Sequence, residues 1–309
     1  MSFEPPTNTI YFVPKYKKKR NYKTRKKSSN KRIGFIGILA IIIIITFSFS
    51  SGIMLGLTRN FSFVKHQEAS KLSSIPDIER DYVLPTADVK VPILVYHYVE
   101  FVKDPGDTIR KSLDIIPPIF EKQIRTLQHA GYNFIMSSDL GLYLDGKKQL
   151  PEKPIILTFD DGYEDFYTDV FPILKKYNVK VTAYIISGVL GRKNYMTASQ
   201  LREIASSGLV EIGAHSVHHP NLKSVSKEVA LEEIIKSKEM LENELGTRIV
   251  SFAYPYGGYN DETVDIVKKA GYTNAVGTHG GLIVNQSNRF VLFRIHPGVA
   301  TGASLLKVL

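Results

Sequence analysis

Ile155-Ile156-Leu157-Thr158-Phe159-Asp160-Asp161-Gly162-Tyr163 decides how this chain folds. The run from Ile155 to Phe159 is uncharged and rich in β-branched and aromatic residues. It reads as a strand covered on both faces, the kind that parallel sheets bury. It stops at two adjacent carboxylates and a glycine. Farther on, Leu209-Val210-Glu211-Ile212-Gly213-Ala214 is another strand-like run, and it leads into His215-Ser216-Val217-His218-His219. One carboxylate and two imidazoles make a three-ligand site for a divalent ion, with a position left open for water. The spare carboxylate beside it can take a proton from that water. This combination predicts metal-assisted hydrolysis.

Working outward, the chain alternates between the two periods. Strands are expected at Val91–His97, Phe134–Met136, Ile155–Phe159, Val181–Ile186, Val210–Ala214, Ile249–Tyr254, Ala275–Thr278 and Phe290–Ile295. Helices are expected at Phe120–Ala130, Asp139–Leu144, Asp165–Tyr177, Thr197–Ser207, Ser226–Leu245 and Asp261–Ala270. Strand–helix alternation argues for an α/β fold with a parallel sheet and helices outside. About seven such units favour a closed barrel over an open sheet. In a barrel the working groups sit at the carboxyl ends of strands. Asp160-Asp161, His97, His215 and Tyr254-Pro255-Tyr256-Gly257-Gly258 all fall at such ends, and their shared location carries the argument.

Composition narrows the function. The formal net charge is +10. Residues 1–32 hold 11 Lys/Arg and one acid, Glu4, which leaves 29 basic and 29 acidic residues in the rest. A nucleic-acid-binding domain carries its positive charge on the folded face, so no nucleic-acid partner is expected. The absence of Cys excludes a disulfide scaffold, a Cys-ligated zinc site and a thiol nucleophile. Trp is absent too, which leaves 17 Tyr and 16 Phe to supply any sugar-stacking surface.

The charge distribution also predicts topology. Residues 1–32 read as a basic cytoplasmic tail, disordered from Lys15 to Arg32. Ile33–Leu57 is uncharged and long enough to cross about 30 Å of hydrocarbon. The Lys/Arg residues before it place the N-terminus in the cytoplasm and the rest outside. A cleaved signal peptide is the rival reading, but Ser48-Phe49-Ser50-Ser51-Gly52 is a poor cleavage site. The expectation is a single-pass membrane protein: a transmembrane helix at 33–57, an extracellular stalk at 58–90 and a catalytic domain at 91–309.

Each candidate has a bland alternative. Asp160-Asp161-Gly162 alone could be a turn, and His215 with His219 could be surface loop residues. His218 reads as exposed, and Ser216 as a turn-stabilising hydroxyl or a ligand contact. Tyr254, Pro255 and Tyr256 read as a groove wall, with the Tyr256 amide facing an oxyanion. His97 is the candidate general acid for a leaving amine, and His296 competes with it. Arg294 either meets the substrate or holds Asp160 by charge pairing.

The runs Thr158-Phe159-Asp160-Asp161-Gly162 and His215-Ser216-Val217-His218-His219 resemble the first two motifs of the polysaccharide deacetylase family, the NodB-homology domain of carbohydrate esterase family 4 type. The resemblance covers about Val91 to Leu309. It implies a distorted (β/α)7 barrel that removes acetyl groups from N-acetylated sugars. It also implies Asp160 as the base, with Asp161, His215 and His219 as ligands of a divalent ion. Zinc is the first choice, with cobalt, nickel, iron or manganese as alternatives. Three departures stand out. The third motif is Ala253-Tyr254-Pro255-Tyr256, without its arginine. The aspartate–tryptophan motif has no counterpart, and the last motif survives only as Arg294-Ile295-His296. Phe252-Ala253-Tyr254-Pro255-Tyr256-Gly257 and Tyr96-His97 resemble the branch that deacetylates poly-β-1,6-N-acetylglucosamine, along with membrane-anchored Gram-positive relatives. That resemblance favours His97 over His296 as the acid. The expected partner is therefore an N-acetylated glycan polymer at the cell surface. The alternatives are a peptidoglycan deacetylase and a catalytically silent glycan-binding module.

Overall fold

The structure is a computed structural model describing residues 88–104 and 106–309. These lie in one compact unit, Arg80–Leu309. The predicted tail, the predicted transmembrane helix and residues 58–87 of the predicted stalk fall outside the described residues. Among the described residues no helix is long and apolar enough to cross a membrane.

The strands are β1 (Val89–Lys90), β2 (Ile93–Tyr96), β3 (Asn133–Phe134), β4 (Pro154–Phe159), β5 (Val181–Ile185), β6 (Val210–Ala214), β7 (Ser251–Ala253), β8 (Asn274–Val276) and β9 (Ile283–Val284). The main sheet runs β2-β4-β5-β6-β7-β8, parallel throughout, with β3 also paired to β4. β1 pairs antiparallel with β9. Val89 and Lys90, read above as the end of the stalk, are therefore part of the folded unit.

The helices are α1 (Thr108–Leu113), α2 (Pro117–His129), α3 (Ser137–Leu144), α4 (Phe171–Tyr177), α5 (Ala198–Ser206), α6 (Lys227–Leu245), α7 (Asp261–Lys269) and α8 (Gly302–Leu306). Their ends follow local chemistry. α2 starts earlier than its apolar spacing suggests because Pro117 and Pro118 suit the first turn. α6 is capped by Ser226, whose hydroxyl accepts the Val229 N–H, and stops at left-handed Gly246. The stretch expected as one helix from Asp165 opens with a π-helical turn, Phe166–Val170, before α4.

Two cores follow from the two-residue period of β4. Ile155, Leu157 and Phe159 pack with the outer helices, while Ile156 faces an inner cluster with Ile93, Tyr184, Val276 and Leu292. Each such fully buried side chain contributes about 1.5–3 kcal/mol relative to exposure. The same alternation puts Thr158 and Asp160 on the inner face with Ile156.

The expected closing strand, Phe290–Ile295, does not form as a regular strand. It makes one single-residue bridge to β8, at Leu292, and one to β2, at Ile295. Between them the Arg294 N–H turns to the His279 carbonyl (2.9 Å), so no ladder propagates. The result is a curled parallel sheet whose edge strands are joined through an irregular segment.

Register aligns the carboxyl ends. Tyr96 pairs with Phe159, Ile185 with Ala214 and Ala253 with Val276. The residues that follow are His97, Asp160, His215 and Tyr254, and all leave the sheet at the same end.

Candidate active site

Asp160 leaves β4 on the inner face and is buried. Arg294 grips it with two parallel hydrogen bonds, Nη1 to Oδ1 and Nη2 to Oδ2, each 2.7 Å. The guanidinium is itself fixed. Its Nε donates to the Gly277 carbonyl at 2.7 Å, and Nη1 also reaches Thr158 Oγ1 at 3.1 Å. Thr158 in turn donates to the Leu94 carbonyl at 2.8 Å. Arg294 is 1% exposed, so it cannot meet a polymer. The substrate-binding reading of Arg294 is corrected here, and the charge-pairing alternative holds. Burial alone would raise the Asp160 carboxyl. Arg294 and then His215 outweigh it and hold it well below the usual carboxylate range.

Asp161 faces a different set of partners. Its Oδ1 lies 3.4 Å from His215 Nε2 and 3.4 Å from His219 Nε2. It is buried and accepts no hydrogen bond. His215 Nδ1 is 2.7 Å from the Ala253 carbonyl. A carbonyl only accepts, so Nδ1 carries the proton and Nε2 is left to face Asp161. Burial lowers the His215 ring, and Asp160 and Asp161 outweigh it and raise its pKa. Burial, then the neighbouring His215, push His219 down to about 4.

Among the described residues Asp161, His215 and His219 are the one set of three ligand-type side chains that could share an ion. Spacings of 3.4 Å suit donors about 2.1 Å from a common centre. The orphaned buried oxygen and the preset histidine tautomer also fit a divalent cation.

The backbone is bent to make this cluster. Asp161, Ser216, His219 and Tyr256 have φ of 75°, 61°, 60° and 58°. For residues with a Cβ each costs about 1–3 kcal/mol. Gly162 beside them has φ 81°, and a Cβ there would also press Ile185 Cδ1 at 3.1 Å. The Ser216 hydroxyl accepts the His219 N–H at 2.9 Å, which is the turn-stabilising role. His218 turns outward, 69% exposed.

The remaining candidates separate cleanly. His97 Nε2 stands 4.0 Å from Asp160 Oδ2, in the cluster. The His296 ring lies farther out, 6.3 Å from that of His97, and its Nδ1 accepts the Gly298 N–H. Tyr256 is 67% exposed, with its ring 4.5 Å from that of His219, so it forms the rim. Tyr254 and Pro255 are buried, Tyr254 against Phe252 and Tyr259. They support the wall from behind and are not a contact surface, which corrects their reading as substrate-binding residues.

Sequence reasoning missed two parts of the site. Thr158 braces Arg294, and its polar position on an otherwise apolar strand was the available signal. Tyr98, Tyr163 and Tyr195 form a stacked column, centroids 4.0 and 5.0 Å apart, capped by Arg110 at 4.2 Å from the Tyr98 ring. No period in the sequence marks that column.

The arrangement agrees with what the chain is similar to. The family model described as polysaccharide deacetylase matches residues 147–275. The Bacillus subtilis protein YxkH, named as a polysaccharide deacetylase, is 32% identical over 216 residues, covering 69% of this chain and 74% of its own. The poly-β-1,6-N-acetyl-D-glucosamine N-deacetylase of Staphylococcus aureus is 28% identical over 198 residues, covering 60% of this chain and 68% of its own. Among solved structures, the Streptococcus pyogenes deacetylase PplD in complex with acetate superposes with a TM-score of 0.67. It is 33% identical, over 72% of this chain and 99% of that one. A cluster suited to hydrolysis, held on a sheet shared with those proteins, leads to one assignment: this chain belongs to the polysaccharide deacetylase family and is a hydrolase of that kind.

Proposed function

We propose that the chain is a metal-dependent hydrolase removing N-acetyl groups from the N-acetylglucosamine units of a cell-surface polysaccharide of the poly-N-acetylglucosamine type. The observation that carries the metal requirement is the orphaned, buried Asp161 Oδ1 between two imidazole nitrogens. Likeness to the Staphylococcus aureus enzyme supports the polymer.

Asp161, His215 and His219 would hold the ion, zinc in the first instance. When bound, it would polarise the acetamide carbonyl and ease deprotonation of water. Asp160, kept ionised by Arg294, takes a proton from the water as its oxygen attacks the carbonyl carbon. His97 stands beside Asp160 and gives a proton to the amine as the carbon–nitrogen bond breaks. The products are acetate and a glucosamine unit. The exposed Tyr256 ring offers an apolar face to the sugar, and its amide is assigned the developing oxyanion. The uncharged run Ile33–Leu57, preceded by basic residues, supports tethering at the cell membrane with the catalytic domain outside.

Acetate release from poly-β-1,6-N-acetylglucosamine by the purified full-length chain tests this reading, with peptidoglycan as the comparator. Release from the first polymer is expected, with loss on chelation and recovery with zinc. Release from peptidoglycan alone would reassign the substrate. Binding of glycan with no release from either would make the chain a binding module.

A further inference from the structure

The loop carrying His215 and His219 does not hold its shape unaided. Ser216 and His219 both sit in the left-handed region, which disfavours residues with a Cβ. Their turn leaves the successive N–H groups of Val217 and His218 pointing the same way, into α6. There they meet Glu233. Its Oε2 accepts both N–H groups at 2.8 Å, and its Oε1 meets His218 Nδ1 at 2.6 Å.

Glu233 is 7% exposed, on the buried stripe of α6 with Ala230, Ile234, Ser237 and Leu241. A charge on such a stripe is costly unless it is hydrogen-bonded, and two converging backbone donors suit an anion. The loop's other side is pinned by the Ser187 N–H to the Ser216 carbonyl (3.1 Å) and the Gly188 N–H to the Val217 carbonyl (3.0 Å). A Cβ at Gly188 would stand 2.5 Å from that Val217 oxygen, so the approach requires glycine.

We infer that Glu233 is a positioning residue for the ion site: it anchors the 215–219 loop so that both imidazoles present Nε2 to Asp161. This rests on the metal reading of the site given above. Glu233 touches neither the ligand nitrogens nor the cleft. It acts through the loop's peptide groups.

The test is zinc titration of the full-length chain, combined with amide hydrogen exchange at Val217 and His218 in the zinc-free protein. Glu233→Ala is expected to weaken zinc binding about tenfold or more and to speed exchange at both amides. Glu233→Gln keeps an acceptor oxygen and is expected to stay within about threefold of the parent. Ile234→Ala, a core truncation on the same helix, is expected to lower the melting temperature while leaving zinc affinity and both amides as in the parent. Parent-like zinc affinity in Glu233→Ala would overturn the inference. So would an equal loss in Ile234→Ala, since that would reduce Glu233 to general support of the fold. Should Glu233→Ala not fold, Glu233→Asp withdraws the carboxylate by one methylene. Weakened zinc binding in that variant supports the inference, and undiminished binding overturns it. A parent chain that takes up no zinc overturns the metal reading and this inference together. A parent that binds zinc no better than Glu233→Ala overturns this inference alone.

Discussion

Asp160 and Asp165 are both buried on the segment that leaves β4, yet their carboxyls are driven in opposite directions. Asp165 accepts the Val99 N–H at 2.7 Å. Burial dominates there and pushes it up to about 7. Asp160 is as deeply buried, but the guanidinium of Arg294 lies against both of its oxygens and keeps it charged. Burial raises a carboxyl, and here the cation enclosed with Asp160 reverses the direction while the single backbone donor at Asp165 does not. The proposed base therefore depends on a partner from the far end of the domain, and that partner depends on Thr158 and the Gly277 carbonyl.

The contrast breaks most severely if the base itself is removed. Asp160→Asn is expected to cut the rate of acetate release on the order of 10²–10⁴-fold while zinc and glycan binding persist. Retained turnover would place the base elsewhere. Arg294→Met should turn Asp160 into a second Asp165. A buried charge left alone costs about 3–5 kcal/mol, measurable by denaturant unfolding. With its carboxyl raised, Asp160 would be protonated at higher pH, so the acidic limb of the kcat/KM profile should move upward. An unmoved limb would mean that another group titrates.

Asp165→Asn tests the other half. A carboxyl raised in the folded state makes the fold bind more protons than the unfolded chain between about pH 4 and 7. Its favourable contribution is full below the unfolded value and fades as pH rises through about 7. The parent should thus lose on the order of 4 kcal/mol across that window, and Asp165→Asn should flatten the loss and be the more stable protein at pH 8. The smallest effect is expected from Thr158→Val, which removes two buried hydrogen bonds, one accepted from Arg294 and one donated to the Leu94 carbonyl, and about 2 kcal/mol, with a slight upward drift of the same acidic limb.

The local parts of this molecule were readable from the chain, and the long-range ones were not. β4 announces itself through a run that is apolar but for Thr158, and β6 through one that is apolar but for Glu211. Asp160-Asp161 and His215 to His219 stand at their ends because a parallel sheet aligns such ends. The interrupted ladder at Phe290–Ile295 was not visible, because its composition suits a strand and only the tertiary pull of His279 on the Arg294 amide breaks it. Tyr254 and Pro255 were misread for a related reason. A strand end can turn toward the cleft or into the core, and no period of two or three decides which. The Arg294–Asp160 pair was one of two readings, chosen finally by burial. Glu233 left a faint trace, a single acid on the buried stripe of α6, which becomes meaningful only once the loop it meets is in place.

The four side-chain-bearing residues held at positive φ around the cluster have an evolutionary consequence. Glycine would relieve the torsional penalty at Asp161, His219 and Tyr256, so the backbone there would be less strained without the side chains of the proposed site, whereas at Ser216 the hydroxyl bonded to the His219 N–H offsets the strain. On the proposed function, selection for turnover keeps those three there. In a lineage that no longer needs the reaction, these positions should be among the earliest to drift, and glycines appearing at them would mark a descendant that has retired from catalysis while its scaffold grew sturdier.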